Sequence, residues 1–387
     1  MYRIKTINDI SQKGLDNFGD EYEVGPNVEN EDAILVRSAK LHNYDFPKSI
    51  KAVARCGAGV NNIPIDELRS KGIVVFNTPG ANANAVKELV ICGMLLGSRR
   101  ILEGIAFAKD LTGDDYTKRV EQGKNAFVGP ELDGKKLGVI GLGAIGVEVA
   151  NAATKLGMHV YGYDPYMSVT AAWGLSKWVH RATLDQIFKE CDYITAHVPL
   201  NDETKNMFNT KTIATMKDGV VLLNFARDEL VDEDAILEGV HSGKIARYVT
   251  DFGSEVLAHT RNVIVFPHLG ASTPESEDNC ATMAVEEIKD YLENGNIVNS
   301  VNFPRVYEPR VSNYRVCVIH VNQPGILSQF TAAFGHKGMN IDNMLSRHRG
   351  GFAYTMIDTN DLSEDITKEI ESIEGVVNAR FIQKAVF

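Results

Sequence analysis

A glycine-rich turn between a buried strand and a helix is the feature that most restricts how this chain folds. Residues 136–140 (KLGVI) predict a buried strand, and residues 141–146 (GLGAIG) form a GxGxxG turn that opens a helix over 147–156. Asp164 ends the next predicted strand, about 20 residues after the turn begins. Glycines let the backbone approach a pyrophosphate, which then lies at the positive end of the helix. We therefore predict a βαβ unit that binds a dinucleotide.

Asp164 distinguishes between the two nicotinamide dinucleotides. A carboxylate at the end of this strand accepts hydrogen bonds from the adenosine ribose hydroxyls and repels a 2′-phosphate. No basic residue follows it in residues 165–167. The expected cofactor is NAD rather than NADP. The alternative is a glycine-rich turn that binds nothing, and the strand, helix and carboxylate around this turn argue against it.

Short apolar runs alternate with helical segments along most of the chain. Strands are predicted at 34–36, 52–54, 73–76, 159–163, 193–196, 220–223, 248–250 and 263–265, and helices at 63–71, 84 to about 109 and 274 to about 292. This alternation predicts an α/β protein with two Rossmann-like, doubly wound parallel-sheet domains. The last stretch, from residue 314, follows a β-α-β-β-α-β order and predicts a ferredoxin-like α+β module.

Composition excludes several classes of protein. A chain of 387 residues is too long for one hydrophobic core, so two or three domains are expected. The net charge of −11 argues against a nucleic-acid partner. No apolar run reaches the roughly 20 residues needed to cross a membrane, and the N-terminus has no secretory h-region. Five scattered cysteines without CxxC spacing indicate neither disulfides nor a metal site, so a cytoplasmic enzyme is expected.

Three polar residues follow predicted strands of the second sheet: Arg227, Glu255 and His268. Ligands bind at the carboxyl ends of parallel strands, so we expect all three in one crevice. An imidazole exchanges a hydroxyl proton near neutral pH, a carboxylate stabilises the imidazolium, and a guanidinium binds a carboxylate with two hydrogen bonds. Beside a nicotinamide, these groups suit hydride transfer at C2 of a small 2-hydroxy acid. Taken singly, the alternatives are a structural histidine, an Arg227–Asp228 surface ion pair and an exposed loop carboxylate.

Several motifs together resemble those of the D-isomer-specific 2-hydroxyacid dehydrogenases, over essentially the whole chain. They are residues 55–62, 77–82, 141–146 with Asp164, 224–227, 251–255 and 267–273. The resemblance implies a substrate-binding domain formed by 1–97 and 269–303, an NAD-binding domain over 98–268, a linker over 304–313 and an ACT-type regulatory domain over 314–387. It also implies that Arg227, Glu255 and His268 act in the roles given above.

The resemblance also implies ligand positions beyond these three residues. Cofactor contacts fall on Gly141, Gly143, Ala144, Ile145, Gly146, Asp164, Val198, Phe225, Ala226, Asp251, Gly270 and Ala271. Substrate contacts fall on Arg37, Arg55, Ala58, Gly59 and Lys124, and a solvated loop lysine is the alternative at Lys124. No metal ligand is expected.

Arg37 and Arg55 lie where members of this family place arginines near a substrate phosphate. An acidic protein that concentrates cations in one cleft suits an anionic substrate. The resemblance therefore implies oxidation of 3-phospho-D-glycerate to 3-phosphooxypyruvate by NAD, the first step of L-serine biosynthesis. The alternatives are reduction of hydroxypyruvate, glyoxylate or another short 2-oxo acid, and a non-catalytic protein that senses NAD.

Residues 320–325 and 338–341 resemble an ACT domain. In relatives, the residues that match His320, Asn322 and Asn340 hold an amino acid between paired domains, which makes serine the expected effector. An ACT domain that only dimerises is the alternative. A homodimer or homotetramer is expected, because pairing covers open strand edges.

Some positions depart from the family pattern. Asp228 replaces the glycine that usually follows the arginine, and Ala144 stands where relatives often carry arginine. The stretch 251–255 is one residue shorter than usual, and Val256 replaces a proline, so the position of the glutamate needs testing. His197 matches a position whose family role is a backbone contact with the cofactor, and we do not expect it to be catalytic.

Overall fold

The computed structural model describes residues 1–363 and 365–383, so residues 364 and 384–387 of the predicted C-terminal module lie outside the described part. The chain divides into two compact units, Met1–Ala81 with Pro274–Phe387, and Asn82–Thr273. Each unit contains a parallel sheet, and the first also contains an antiparallel sheet of four strands. The predicted fold class is confirmed. Within the described residues, no helix combines the length and apolar character needed to cross a bilayer.

The first unit begins with a five-stranded parallel sheet. Its elements are β1 Tyr2–Ile7, α1 Gln12–Leu15, β2 Tyr22–Gly25, β3 Ala33–Val36, β4 Ala52–Arg55, α2 Ile65–Ser70 and β5 Val74–Phe76. The strand order is β2-β1-β3-β4-β5. β3 and β5 are buried along their whole length, as expected for uninterrupted apolar strands covered on both faces. The register pairs Val36 with Arg55, so Arg37 and Arg55 lie at neighbouring strand ends.

The second unit is a doubly wound sheet of seven parallel strands. Its elements are α3 Ala83–Ser98, α4 Ile101–Asp110, α5 Tyr116–Gly123, β6 Lys136–Ile140, α6 Ala144–Lys155, β7 His159–Tyr163, α7 Val169–Gly174, β8 Val179–Arg181, α8 Leu184–Glu190, β9 Tyr193–Ala196, α9 Thr210–Thr215, β10 Val220–Asn224, α10 Glu233–Ser242, β11 Ile245–Thr250, α11 Glu255–His259 and β12 Val263–Val265. The order β12-β11-β10-β9-β6-β7-β8 reverses direction at β6. Such a reversal opens a crevice at the carboxyl ends of the strands, where ligands bind.

The single long helix predicted over 84–109 is wrong. α3 buries Val90 and Met94 and ends at Ser98, and Arg99 then adopts an extended conformation with φ −122° and ψ 144°. α4 follows and buries none of its residues. The apolar spacing continues across the break, so the sequence pattern alone does not reveal it.

The domain limits differ from the expected ones at α3. This helix was expected to lie in the substrate-binding domain, over residues 1–97, and it lies in the second unit. Its residue Gly93 lies against Phe225 and Val249 of the second unit, where a Cβ atom would come within 3.0 Å of the Phe225 ring. The buried face of α3 also shares a core with that sheet. The division therefore falls between residues 81 and 82.

The first unit resumes with a long helix, α12 Pro274–Asn294, and a C-terminal module. The module comprises β13 Tyr314–Val321, α13 Ile326–His336, β14 Asn343–Arg349, β15 Phe352–Thr359, α14 Asp365–Glu371 and β16 Val376–Gln383. Its sheet is antiparallel with order β14-β15-β13-β16. This is the β-α-β-β-α-β order expected of a ferredoxin-like module.

The segment expected to be a linker, 304–313, is packed into the first unit. Phe303 and Val306 are buried, and Val306 exchanges backbone hydrogen bonds of 2.7 and 2.8 Å with Ile297. Cys317 of β13 lies in the same hydrophobic core as these residues. The buried side chains of Phe303 and Val306 thus join the module to the first sheet, whereas Tyr307 and Val311 are exposed.

Two arginines of the module, the buried Arg315 and the half-buried Arg380, contact the C-terminal end of α12. The Nε of Arg315 donates to Asp358 Oδ1 at 2.6 Å, and its Nη1 donates to the Asn294 carbonyl at 2.8 Å. The guanidinium of Arg380 lies 4.1 Å from the centre of the Tyr291 ring. Cations are favourable at the negative end of a helix, and a buried ion pair needs such additional hydrogen bonds.

Candidate active site

The glycine-rich turn lies at the sheet reversal with one face open. Gly141 has φ +90°, and a Cβ atom there would lie 2.5 Å from the His197 carbonyl that follows β9. A Cβ atom at Gly146 would collide with the Gly141 carbonyl. At Gly143, immediately before α6, a Cβ atom would meet nothing within 4 Å among the described residues. The turn is thus closed against the protein and open towards a phosphate group at the helix N-terminus.

Asp164 is fixed beside this turn by the backbone. The Leu142 N–H donates to one carboxylate oxygen at 2.8 Å, and the Tyr166 N–H donates to the other at 2.8 Å. Each oxygen keeps a further lone pair for a ligand hydroxyl. A half-buried carboxylate in this position fits the adenosine ribose of NAD.

Buried polar residues at the ends of β10 and β11 shape the loop that carries Arg227. Asn224 Oδ1 accepts from the Ala226 N–H at 3.2 Å, and its Nδ2 donates to the Arg227 carbonyl at 2.7 Å. The Thr250 hydroxyl donates to the Asn224 carbonyl at 2.8 Å. The Arg227 side chain is exposed beyond this turn. Asn224 and Thr250 are positioning residues that the sequence analysis missed, although short polar side chains at strand ends were an available signal.

Asp251 directly follows β11, and the charges of the candidate catalytic residues His268 and Arg227 act on its carboxyl group. It is 5% exposed, and its Oδ1 is buried without a hydrogen-bond partner among the described residues. Burial raises the pKa of the Asp251 carboxyl, and the positive charges of His268 and Arg227 oppose that shift. Both side chains therefore lie within electrostatic range of the same carboxyl group. A buried acceptor without a donor is rare in proteins and fits a ligand that supplies an N–H or O–H group.

His268 follows β12 on an exposed segment and packs against Phe252. The two ring centres are 4.7 Å apart at an interplanar angle of 76°, an edge-to-face contact. Gly270 lies just beyond, where a Cβ atom would come 3.3 Å from Asp251 Oδ2. Small residues on this loop let it approach the buried carboxyl closely.

The structure does not bring Glu255 to His268. No hydrogen bond or ion pair joins the two side chains in the described part of the chain, and Glu255 is exposed as the first residue of α11. Ser254 caps that helix by accepting from the Leu257 N–H at 3.2 Å. Because the segment after Asp251 is one residue shorter than the family pattern, the helix begins at the glutamate. The described residues thus show no contact between Glu255 and His268, and the catalytic role of Glu255 stays a prediction.

The other expected cofactor positions surround the same turn. Val198 touches Gly141, where a Cβ atom would lie 2.8 Å from Val198 Cγ1. Phe225 is 6% exposed within the core of the second unit, so a ligand can reach only its backbone. Ala144 and Ile145 form the first turn of α6.

His197 is unsuited to proton transfer. Its Nε2 lies 3.0 Å from the Thr195 hydroxyl, and burial lowers the pKa of the imidazole to about 4. The ring is therefore neutral at physiological pH.

The expected substrate residues of the first unit are engaged with their own loops. Arg55 Nε donates to the Arg37 carbonyl at 3.0 Å, and its Nη1 donates to the Gly59 carbonyl. Arg37 forms an ion pair with Glu277 in the first turn of α12. The Ala58 carbonyl accepts from Asn77 Nδ2 at 2.6 Å. These contacts gather two guanidinium groups at neighbouring strand ends.

Lys124, expected as a further substrate contact, lies in the second unit and forms an ion pair with Glu121. The Nζ–Oε2 distance is 2.5 Å, and 61% of the lysine side chain is exposed. Such a pair contributes little to stability and leaves the lysine in solvent.

The expected effector residues of the C-terminal module have different environments. His320 is 1% exposed, with Nε2 2.8 Å from the Thr355 hydroxyl and Nδ1 2.9 Å from the Val321 carbonyl. Burial lowers the pKa of this imidazole. Both ring nitrogens are thus hydrogen-bonded inside the sheet, and a role of His320 as an effector ligand stays a prediction. Asn322 and Asn340 are exposed.

Comparisons with known proteins agree with this geometry. Residues 94–270 match the NAD binding domain of the D-isomer specific 2-hydroxyacid dehydrogenases. A D-3-phosphoglycerate dehydrogenase from Haemophilus influenzae is 33% identical over 350 residues, which cover 87% of this chain and 82% of that protein. A hydroxypyruvate reductase from Thermotoga maritima is 38% identical over 269 residues, which cover 66% of this chain and 83% of that protein. The NAD⁺-bound crystal structure of 3-phosphoglycerate dehydrogenase from Entamoeba histolytica matches with a TM-score of 0.60 at 26% identity, over 78% of this chain and 98% of the other.

Proposed function

The chain belongs to the D-isomer-specific 2-hydroxyacid dehydrogenases, and from this premise we propose that it oxidises 3-phospho-D-glycerate with NAD to 3-phosphooxypyruvate. This reaction is the first step of L-serine biosynthesis. One observation supports the chemistry: the buried carboxyl of Asp251 lies against the loop that carries His268, where a Cβ atom at Gly270 would come 3.3 Å from Asp251 Oδ2. The positive charges of His268 and Arg227 also oppose the rise that burial causes in the pKa of this carboxyl. NAD fits the turn at 141–146, because Gly143 leaves its face open and Asp164 is held beside it.

The exposed guanidinium of Arg227 binds the substrate carboxylate and polarises the oxygen on C2. His268 accepts the C2 hydroxyl proton as the bond between C2 and its hydrogen breaks. The cofactor, when bound, accepts the hydride. The edge-to-face contact with Phe252 orients the imidazole during this transfer.

Asp251 takes the part that sequence comparison had given to Glu255. A negative charge near His268 favours the imidazolium that forms when the hydroxyl proton is taken. The buried Oδ1 also remains available to accept a hydrogen bond from the bound cofactor. One carboxylate thus stabilises the imidazolium of His268 and accepts a hydrogen bond from the cofactor, while Glu255 remains on an exposed helix turn.

Two guanidinium groups favour a phosphorylated substrate. Arg37 and Arg55 follow neighbouring strands, and charge-assisted hydrogen bonds to phosphate are among the stronger polar interactions in proteins. The likeness to a hydroxypyruvate reductase keeps reduction of hydroxypyruvate as the second candidate. We expect Arg55→Ala to raise KM for 3-phosphooxypyruvate by about tenfold or more, and KM for hydroxypyruvate far less. Equal increases for the two substrates would contradict a phosphate contact at Arg55.

We also propose that the C-terminal module is an ACT domain that binds serine and pairs with the same module of a second copy. The exposed Asn322 and Asn340 support an effector site, and His320 supports the sheet beneath them. Equilibrium dialysis with labelled serine, with Asn322→Ala as a control, tests the site. The absence of saturable binding to the unmodified protein would refute it.

A further inference from the structure

Glu277 is the acidic partner of one of the two proposed phosphate-binding arginines. It lies in the first turn of α12, and its Oε1 contacts Nη2 of Arg37. Each side chain of the pair is 40% exposed, so solvent and small ions reach both. A partly exposed pair of this kind is weak and can be broken by a competing anion.

The second arginine is held differently. Arg55 donates from Nε to the Arg37 carbonyl and from Nη1 to the Gly59 carbonyl. These two backbone carbonyls fix the direction of the Arg55 guanidinium. The charge of Arg37 is neutralised by the carboxylate of Glu277.

We propose that Glu277 is an internal competitor for the substrate phosphate and sets the affinity for phosphorylated substrates. This inference rests on the proposed function. A phosphate monoester carries a charge of about −1.5 to −2 and three strong acceptor oxygens, so it displaces a single carboxylate from Arg37. The neutral hydroxymethyl group of hydroxypyruvate has no such advantage and leaves the Arg37–Glu277 pair intact. Glu277 therefore weakens phosphate binding and speeds release of the phosphorylated product.

The test compares Glu277→Gln with the unmodified enzyme, using 3-phosphooxypyruvate and hydroxypyruvate as substrates with NADH. Glutamine keeps the length of the side chain and removes its charge. KM for 3-phosphooxypyruvate should fall about two- to fivefold, the range expected when a partly exposed ion pair is lost, and KM for hydroxypyruvate should stay unchanged. Glu275→Gln is the matched control, because Glu275 carries the same charge in the same helix turn and lies exposed. It should change neither value.

Inorganic phosphate provides a second readout that does not depend on the identity of the substrate. As a competitive inhibitor of hydroxypyruvate reduction, it should bind Glu277→Gln more tightly by the same factor. The gain should vanish in the Arg37→Ala background, because Glu277 then has no guanidinium to occupy.

A rise in KM for 3-phosphooxypyruvate in Glu277→Gln would overturn the inference, since Glu277 would then support Arg37. Equal effects of the Glu277 and Glu275 variants, or an effect that persists without Arg37, would also overturn it. Failure of the unmodified enzyme to turn over 3-phosphooxypyruvate would instead refute the proposed function. In that case, tighter inhibition of Glu277→Gln by phosphate would still establish competition at Arg37, and unchanged inhibition would exclude it.

Discussion

The ends of the predicted strands were a good guide to some of the candidate functional residues and a poor guide to others. Asp164 and the glycines of the turn follow from spacing alone, because a dinucleotide site imposes both. Arg227 and His268 were predicted from their places after strands, and the charges of both lower the pKa of Asp251 against the effect of burial. The position of Glu255 was not predictable, because a single missing residue changes where a helix begins.

Replacing the imidazole tests the proposed proton acceptor. His268→Ala should lower kcat by about 10²- to 10⁴-fold, the usual contribution of general acid–base catalysis, while NADH binding is retained. His259→Ala is the matched control, because His259 is an exposed histidine on the nearby α11. Stopped-flow turnover and fluorescence titration with NADH measure the two quantities. Near-native turnover in the His268 variant would exclude the proposed role.

The two carboxylates give a second test at the residue scale. Asp251→Asn removes the buried charge beside His268 and Arg227, and we expect kcat/KM to fall by about tenfold or more. Glu255→Gln alters an exposed group and should change kcat/KM by less than about twofold. Initial rates of the two variants, measured side by side, decide between the carboxylates. A larger loss in the Glu255 variant would assign the role to Glu255.

At the scale of elements, periodicity predicted six of the seven strands of the second sheet and missed β8. Of the helices of that unit, it predicted α6 and the segment that contains α3 and α4. It failed between α3 and α4, because apolar spacing continues across a break at Arg99 where the chain becomes extended. The roles of Asn224 and Thr250 also depend on contacts between neighbouring strand ends. Spacing within one segment carries no information about such contacts.

Two glycines of the glycine-rich turn are expected to serve different purposes: Gly146 is needed for stability and Gly143 for NAD binding. Gly146→Ala would place a methyl group against the Gly141 carbonyl, so we expect a loss of stability of about 1–3 kcal/mol. Gly143→Ala points a methyl group into the open face of the turn, so stability should be kept and NAD binding weakened. Thermal unfolding and NAD titration measure the two effects. If both variants lose stability equally, the open face at Gly143 is not a ligand face.

At the scale of the whole molecule, the α/β class and the C-terminal module were predictable from the order of elements. The packing of this module against α12 and the first sheet was not predictable. Arg315 pairs with Asp358 across two strands and also reaches the end of α12, and such distant partners leave no local pattern in the sequence. The segment 304–313 was predicted to be a linker because prolines interrupt it. The buried side chains of Phe303 and Val306 instead join the module to the first sheet.

A buried glutamate makes the stability of the protein depend on pH. Glu287 of α12 is 8% exposed, and burial raises the pKa of its carboxyl to about 8. The folded state therefore keeps a proton that the unfolded chain loses near pH 4.3, so stability should fall as pH rises from about 4.3 towards 8. Glu287→Gln retains an acceptor for Asn299 without the proton, and this variant should become progressively more stable than the unmodified protein over that interval.

Urea unfolding at several pH values between 5 and 8 measures this difference. Glu275→Gln, an exposed glutamate in the first turn of the same helix, is the control and should show a nearly constant offset. A constant offset for Glu287→Gln as well would mean that the Glu287 carboxyl is already ionised in the folded protein.

The proposed reaction is tested most directly by the formation of NADH from 3-phospho-D-glycerate and from D-glycerate, each with NAD at the same concentration. The two substrates differ only in the phosphate group. We predict a kcat/KM at least about tenfold higher for the phosphorylated acid, as expected when charge-assisted hydrogen bonds to phosphate are gained. An equal or higher value for D-glycerate would contradict the account.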